Sequence, residues 1–222
     1  MRRFLYENGL SVVLLLLFLV ALAGQSVTGW YEYNEDQREH RQPAVGFGEY
    51  LTTGHFIEAT FENWESEFLQ MAAFVVFTVF LYQKGSSESK APGRVEEVDI
   101  VLPRSQIPED APWPVRRGGW VLKLYENSLG LTFLLLFIAS LLLHAYGGAE
   151  EYNQDQSAHG QGGPALTTFG YMTTSRFWFE SFQNWQSEFL SVAAMVILTI
   201  FLRQRGSPES KPVYSPTTET ER

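Results

Sequence analysis

Four apolar blocks punctuate the chain: Leu10 to Ala23, Phe68 to Tyr82, Leu129 to Ala145 and Phe189 to Leu202. Each reaches the ~20 residues needed to cross ~30 Å of hydrocarbon once its flanking Tyr, Trp, Gly and Ser are included. Amphipathic flanks of that kind suit the membrane interface. Two of the blocks continue outward as stripes. Ile57, Phe61, Trp64, Phe68, Met71 and Val75 recur at helical spacing, and Trp178, Phe182, Trp185, Phe189, Val192 and Val196 repeat it. A stripe that runs from polar loop into apolar block predicts one continuous helix. Thr53 and Thr174 are the expected N-caps. Residues 30–41 also suit a helix, ended by Pro43 and a loop around Gly46 and Gly48.

The halves of the chain match. Leu5-Tyr6-Glu7-Asn8 returns as Leu124-Tyr125-Glu126-Asn127, and Tyr33-Asn34, Asp36-Gln37 and His40 return as Tyr152-Asn153, Asp155-Gln156 and His159, all at an offset of 119. Two inserted residues shift the offset to 121. Tyr50, Thr52, Thr53 and Phe56 then match Tyr171, Thr173, Thr174 and Phe177. Asn63-Trp64 and Ser66-Glu67-Phe68-Leu69 match Asn184-Trp185 and Ser187-Glu188-Phe189-Leu190. Arg2 and Arg3 before an apolar run ending Ala21-Leu22-Ala23 resemble a cleavable leader. The counterpart of that run lies mid-chain, so the first block is expected to be a retained helix.

The pattern therefore predicts an all-α membrane protein with four transmembrane helices. They form two parallel helical hairpins from an internal duplication, with helices extended on the extracytoplasmic side as a four-helix bundle. Residues 1–90 form the first two-helix repeat and 120–211 the second. Residues 91–119, with five prolines, read as a flexible cytoplasmic linker, and 212–222 as a disordered tail.

Charge orients the chain. The loops inside the two repeats hold three basic residues against fourteen acidic ones, a net of −11. The rest holds thirteen basic against eleven acidic, a net of +2. Basic residues stay on the cytoplasmic side, so both termini are expected inside and the acidic loops outside. The overall charge of −9, with no basic stripe, argues against nucleic acid as a partner. The absence of cysteine removes thiolate metal sites and cysteine nucleophiles. The mean hydropathy of −0.10 is an average over apolar blocks and acidic loops.

Two sets of residues are candidates for chemistry. Asp36 with His40, and Asp155 with His159, stand four apart, so carboxylate and imidazole share a helix face. Such pairs hold a metal or move a proton, and they also occur as solvated faces in which the His bonds its neighbour. Asn63, Trp64, Ser66 and Glu67, with Asn184, Trp185, Ser187 and Glu188, place a carboxylate at the edge of the hydrocarbon. There it either binds a ligand or ties helices together. No Asp, Glu, Lys or Arg occupies the middle of an apolar block, and no phosphate loop, nucleophile elbow or HExxH is present. No cofactor is implied.

The paired Leu-Tyr-Glu-Asn and Asn-Trp-x-Ser-Glu-Phe-Leu segments resemble an uncharacterised family of bacterial membrane proteins, classified only as a domain of unknown function. The resemblance covers the chain apart from linker and tail. It implies a multi-pass protein of the bacterial cytoplasmic (inner) membrane and carries over no activity. The leading expectation is a non-enzymatic structural or interaction protein in the bilayer, with a protein partner or a second copy bound at its acidic cap. A channel or transporter for a cation or small solute is the first alternative, and a metal-dependent membrane enzyme the second.

Overall fold

The computed structural model describes residues 2–160 and 164–218. The last four residues of the expected tail lie outside them. Eight α-helices follow one another among the described residues, with no strand: α1 (Arg2–Glu39), α2 (Phe47–Tyr50), α3 (Gly54–Phe80), α4 (Trp113–Arg117), α5 (Gly119–Glu126), α6 (Ser128–Ala158), α7 (Thr168–Tyr171) and α8 (Ser175–Phe201). Three-residue 3-10 turns occupy Glu97–Asp99 and Arg104–Gln106.

Three of these helices, α1, α6 and α8, are long and apolar enough to cross a membrane. Their apolar side chains are not gathered into a core. From Val13 to Val20 every side chain of α1 is between 43% and 69% exposed. Burying such a surface from water is worth about 25 cal/mol per Å², and a bilayer supplies that burial without a protein partner. Helix α3 falls short of the same criterion. Its apolar part, Phe68 to Phe80, spans roughly 20 Å at 1.5 Å per residue and contains Gln70, and the turns before it carry four glutamates.

Helix starts follow local chemistry. The Thr53 hydroxyl accepts from the Phe56 N–H and the Thr174 hydroxyl from the Phe177 N–H, both at 3.3 Å, capping α3 and α8. The asparagines of the paired Leu-Tyr-Glu-Asn segments interrupt helices. Asn8 leaves helical geometry inside α1 (φ −125°), and Asn127 ends α5 with φ −110°. Each amide donates to the carbonyl four residues back, Phe4 at 3.0 Å and Lys123 at 2.8 Å. An Asx side chain that bonds the backbone competes with the helical ladder.

The chain divides into two compact units, one of Met1–Phe61 with Leu142–Phe177, the other of Glu62–Leu141 with Trp178–Arg222. In the second unit the segments after α3 and α8 adopt the same turn. Ser89 Oγ accepts the Gln83 N–H at 2.7 Å and Ser210 Oγ accepts the Gln204 N–H at 2.9 Å. Gly85 and Gly206 supply the positive φ, +90° and +84°. The first turn is tied to α8 by a buried bond between Ser86 Oγ and Thr199 Oγ1 at 2.9 Å, and to the second turn by Ser87 Oγ donating to the Glu209 carbonyl at 3.0 Å.

Candidate functional site

The first unit holds the densest polar chemistry, and its construction starts with two tyrosines. Gly46 and Gly48 sit in what reads as loop, yet residues Phe47–Tyr50 wind one helical turn that buries Tyr50 to 1% exposure. Helix α7 does the same for Tyr171, at 0%. Each ring lies on a glycine of a long helix. A Cβ on Gly29 would overlap the Tyr50 hydroxyl, and one on Gly148 would overlap the Tyr171 ring. The loops leading to these turns are pinned by amides. Asn34 exchanges two hydrogen bonds with the backbone of Val45, at 2.7 and 3.1 Å, and Asn153 does so with Leu166, at 2.8 and 2.9 Å. Trp30 Nε1 adds a bond to the Val45 carbonyl at 2.8 Å. Helices α3 and α6 meet backbone to backbone at Gly54 and Gly147, where a Cβ on Gly54 would stand 2.7 Å from the Gly147 carbonyl oxygen.

Beside the tyrosines lies a cluster of carboxylates, of which Glu58 is buried. Glu58 is 7% exposed and accepts the Tyr171 hydroxyl at 3.1 Å. Arg176 reaches Glu58 at 3.9 Å and Asp155 at 3.3 Å. His144, fully buried, stacks on Phe177 with centroids 4.9 Å apart and lies within 4.8 Å of the Glu58 carboxylate. Gln154 donates to the Tyr33 hydroxyl at 2.7 Å. Glu151 stands about 9 Å along α6 beyond Ala145, at 1.5 Å per residue, and so outside the apolar stretch. Burial pushes its carboxyl up to about 7, with Asp155 and Glu58 adding repulsion and Arg176 opposing it. Its Oε2 is buried without a hydrogen-bond partner among the described residues. Burial also pushes the Tyr50 hydroxyl up to about 12, helped by Glu32 and Glu151, and holds His55 below the usual imidazole range. Tyr50 and His55 are joined at 3.2 Å.

The Asp/His pairs end the long helices of this unit. His40 and His159 each follow the last residue of α1 or α6, and their rings meet, with centroids 5.2 Å apart at 67°. Each Nδ1 bonds the carbonyl oxygen of the aspartate four residues earlier, Asp36 at 3.0 Å and Asp155 at 2.8 Å. The Asp36 carboxylate lies 3.3 Å from His40 Nδ1, whereas that of Asp155 turns to Arg176.

The second candidate set falls in the second unit, and the structure redistributes its roles. Ser66 and Ser187 donate back to the carbonyls of Asn63 and Asn184, at 2.7 and 2.8 Å. Glu67 is exposed and Glu188 half-buried. The ties run instead through Glu62 and Glu65. Asn184 Nδ2 donates to Glu62 at 2.5 Å, and Trp185 Nε1 donates to Glu65 at 3.3 Å, with Glu65 fully buried. Gln70 donates to the Glu188 carbonyl at 2.8 Å and to Ser191 at 2.9 Å. Sequence reasoning passed over Glu58, Glu62 and Glu65 because their counterparts are Phe179, Gln183 and Gln186. Their signal was the spacing 58, 62, 65, which puts three carboxylates on one face of a helix.

No curated protein and no solved structure matches the chain. A family model matches residues 1–222 throughout, in keeping with the resemblance carried by the paired segments. The chain belongs to the family described as "Domain of unknown function (DUF6766)".

Proposed function

We propose that this chain is a four-span integral membrane protein of non-enzymatic, structural or interaction type, with α3 as the span additional to α1, α6 and α8. In this reading the chain is two copies of one hairpin, both termini are cytoplasmic, the membrane is the bacterial inner membrane, and the acidic cap binds a protein partner or a second copy. The observation that carries the reading is how the polar side chains of the first unit are used. Glu58, Tyr171, Arg176, Asp155, Asn34, Asn153, Gln154 and Tyr33 bond to one another or to loop backbone. Such ties stiffen a surface. Glu32, Glu35, Asp36 and Glu39 remain exposed on the last turns of α1, as an acidic face such a docking surface needs. The matched Tyr50–Gly29 and Tyr171–Gly148 contacts support the duplication.

The test is purification in mild detergent with mass measurement by light scattering and identification of co-eluting proteins. A complex larger than one chain, dispersed by charge reversal at Glu35 and Glu39, is the expected result. A solitary monomer with no co-purifying protein would overturn the reading.

A further inference from the structure

We infer that His40 and His159 form a transition-metal site at the joined ends of α1 and α6. Three features of the geometry lead there. First, the ring spacing fits. An imidazole nitrogen binds zinc at ~2.0–2.1 Å, which places the ring centroid about 3.2 Å from the ion. Two such rings at a tetrahedral angle stand about 5.2 Å apart, and the centroids of His40 and His159 are 5.2 Å apart. Second, the tautomer is set. The Nδ1–H of each ring donates to a backbone carbonyl, so each Nε2 carries the free lone pair. That outer bond is the arrangement that orients metal-binding imidazoles and raises their basicity.

Third, the local field favours a cation. Both histidines sit at the carboxyl ends of long helices, where the macrodipole is negative. Glu32, Glu35, Asp36 and Glu39 stand exposed within the last turns of α1 and outnumber the two cations beside them, Arg38 and Arg41. The chain has no cysteine, so imidazole, carboxylate and water are the available donors, a set that suits Zn²⁺, Ni²⁺ or Cu²⁺. Both residues are exposed, with the His40 side chain 32% so, which leaves positions open to water and gives the ion access. With one ligand from each half of the chain, a bound ion would staple the end of α1 to the end of α6.

Zinc is the probe. The full-length protein in detergent, stripped with chelator and dialysed, is titrated with Zn²⁺ by equilibrium dialysis, and its melting is followed with and without the ion. One saturable Zn²⁺ per chain is expected, with a higher melting temperature when it is bound. H40A and H159A should each weaken binding by at least about tenfold, and the double variant should lose both the binding and the shift. Because the two residues are exposed, the metal-free double variant should melt as the metal-free parent does, which separates a lost ligand from a lost fold. Absence of saturable binding by the parent, or equally tight binding by either single variant, overturns the site. H40Q repeats the test with a side chain closer in size.

Discussion

Replacing Glu151 by glutamine tests the cluster in the first unit most directly. The carboxyl titrates at about 7 in the folded chain, against its ordinary value of 4.5. Between those values the folded protein holds a proton that the unfolded chain has released, so stability falls as pH rises from about 4.5 to about 7. Above 7 both states are ionised and the loss is complete. The gap corresponds to about 3 kcal/mol, an order-of-magnitude figure for this one group. Glutamine keeps the shape of the protonated acid and never ionises. E151Q should therefore gain up to about 3 kcal/mol over the parent at pH 8 and almost nothing at pH 5. Thermal unfolding of both proteins in detergent, followed by tryptophan fluorescence from pH 5 to 9, measures the difference. Melting curves that stay parallel across that range would refute the reasoning, since they would mean that Glu151 is hydrated when charged.

Three further outcomes follow from the packing. E65A should destabilise the protein by about 1–3 kcal/mol, because it removes a buried acceptor and orphans the half-buried Trp185 N–H, while E67A, at an exposed site, should stay within about 0.5 kcal/mol. Chemical denaturation of the two variants side by side reads the contrast, and equal effects would reject the assignment of the tie to Glu65. G147A sets a Cβ into the backbone of Glu58 and Gly54 and should cost about 1–3 kcal/mol or more. G48A, whose Cβ would meet nothing within 4 Å, is its control in the same melts. Because the chain has no cysteine, single cysteines report sidedness cleanly. A44C should react with an impermeant maleimide on intact cells and S105C only after permeabilisation, and the reverse pattern would invert the proposed topology.

The helices were legible because their causes are local. The stripe from Ile57 to Val75 and the hydroxyl of Thr53 mark the start and face of α3 within a few residues of each other. The turn at Phe47–Tyr50 was not legible, since four residues show no period and two glycines suggest loop. Its meaning lies in Gly29, which is 21 residues away and empty so that the Tyr50 hydroxyl can be seated. Asn34 and Asn153 were visible as matched letters without a role, because their partners are backbone atoms of Val45 and Leu166, which leave no trace in side-chain pattern. The carboxylates that tie helices were hidden for a different reason. Matching the halves highlights identical residues, such as Glu67 and Glu188, and these are the ones the structure leaves exposed or half-buried. A tie between related helices needs unlike partners, so Glu58, Glu62 and Glu65 occupy positions where the halves differ.

That unlikeness makes the protein directional. The donors Tyr171, Asn184 and Trp185 have identical counterparts in Tyr50, Asn63 and Trp64, but the acceptors Glu58, Glu62 and Glu65 have none of their kind. Two copies of the second segment would bring these donors together with no carboxylate at those three positions to receive them. The ties therefore run one way, with α3 receiving and Tyr171 and α8 giving.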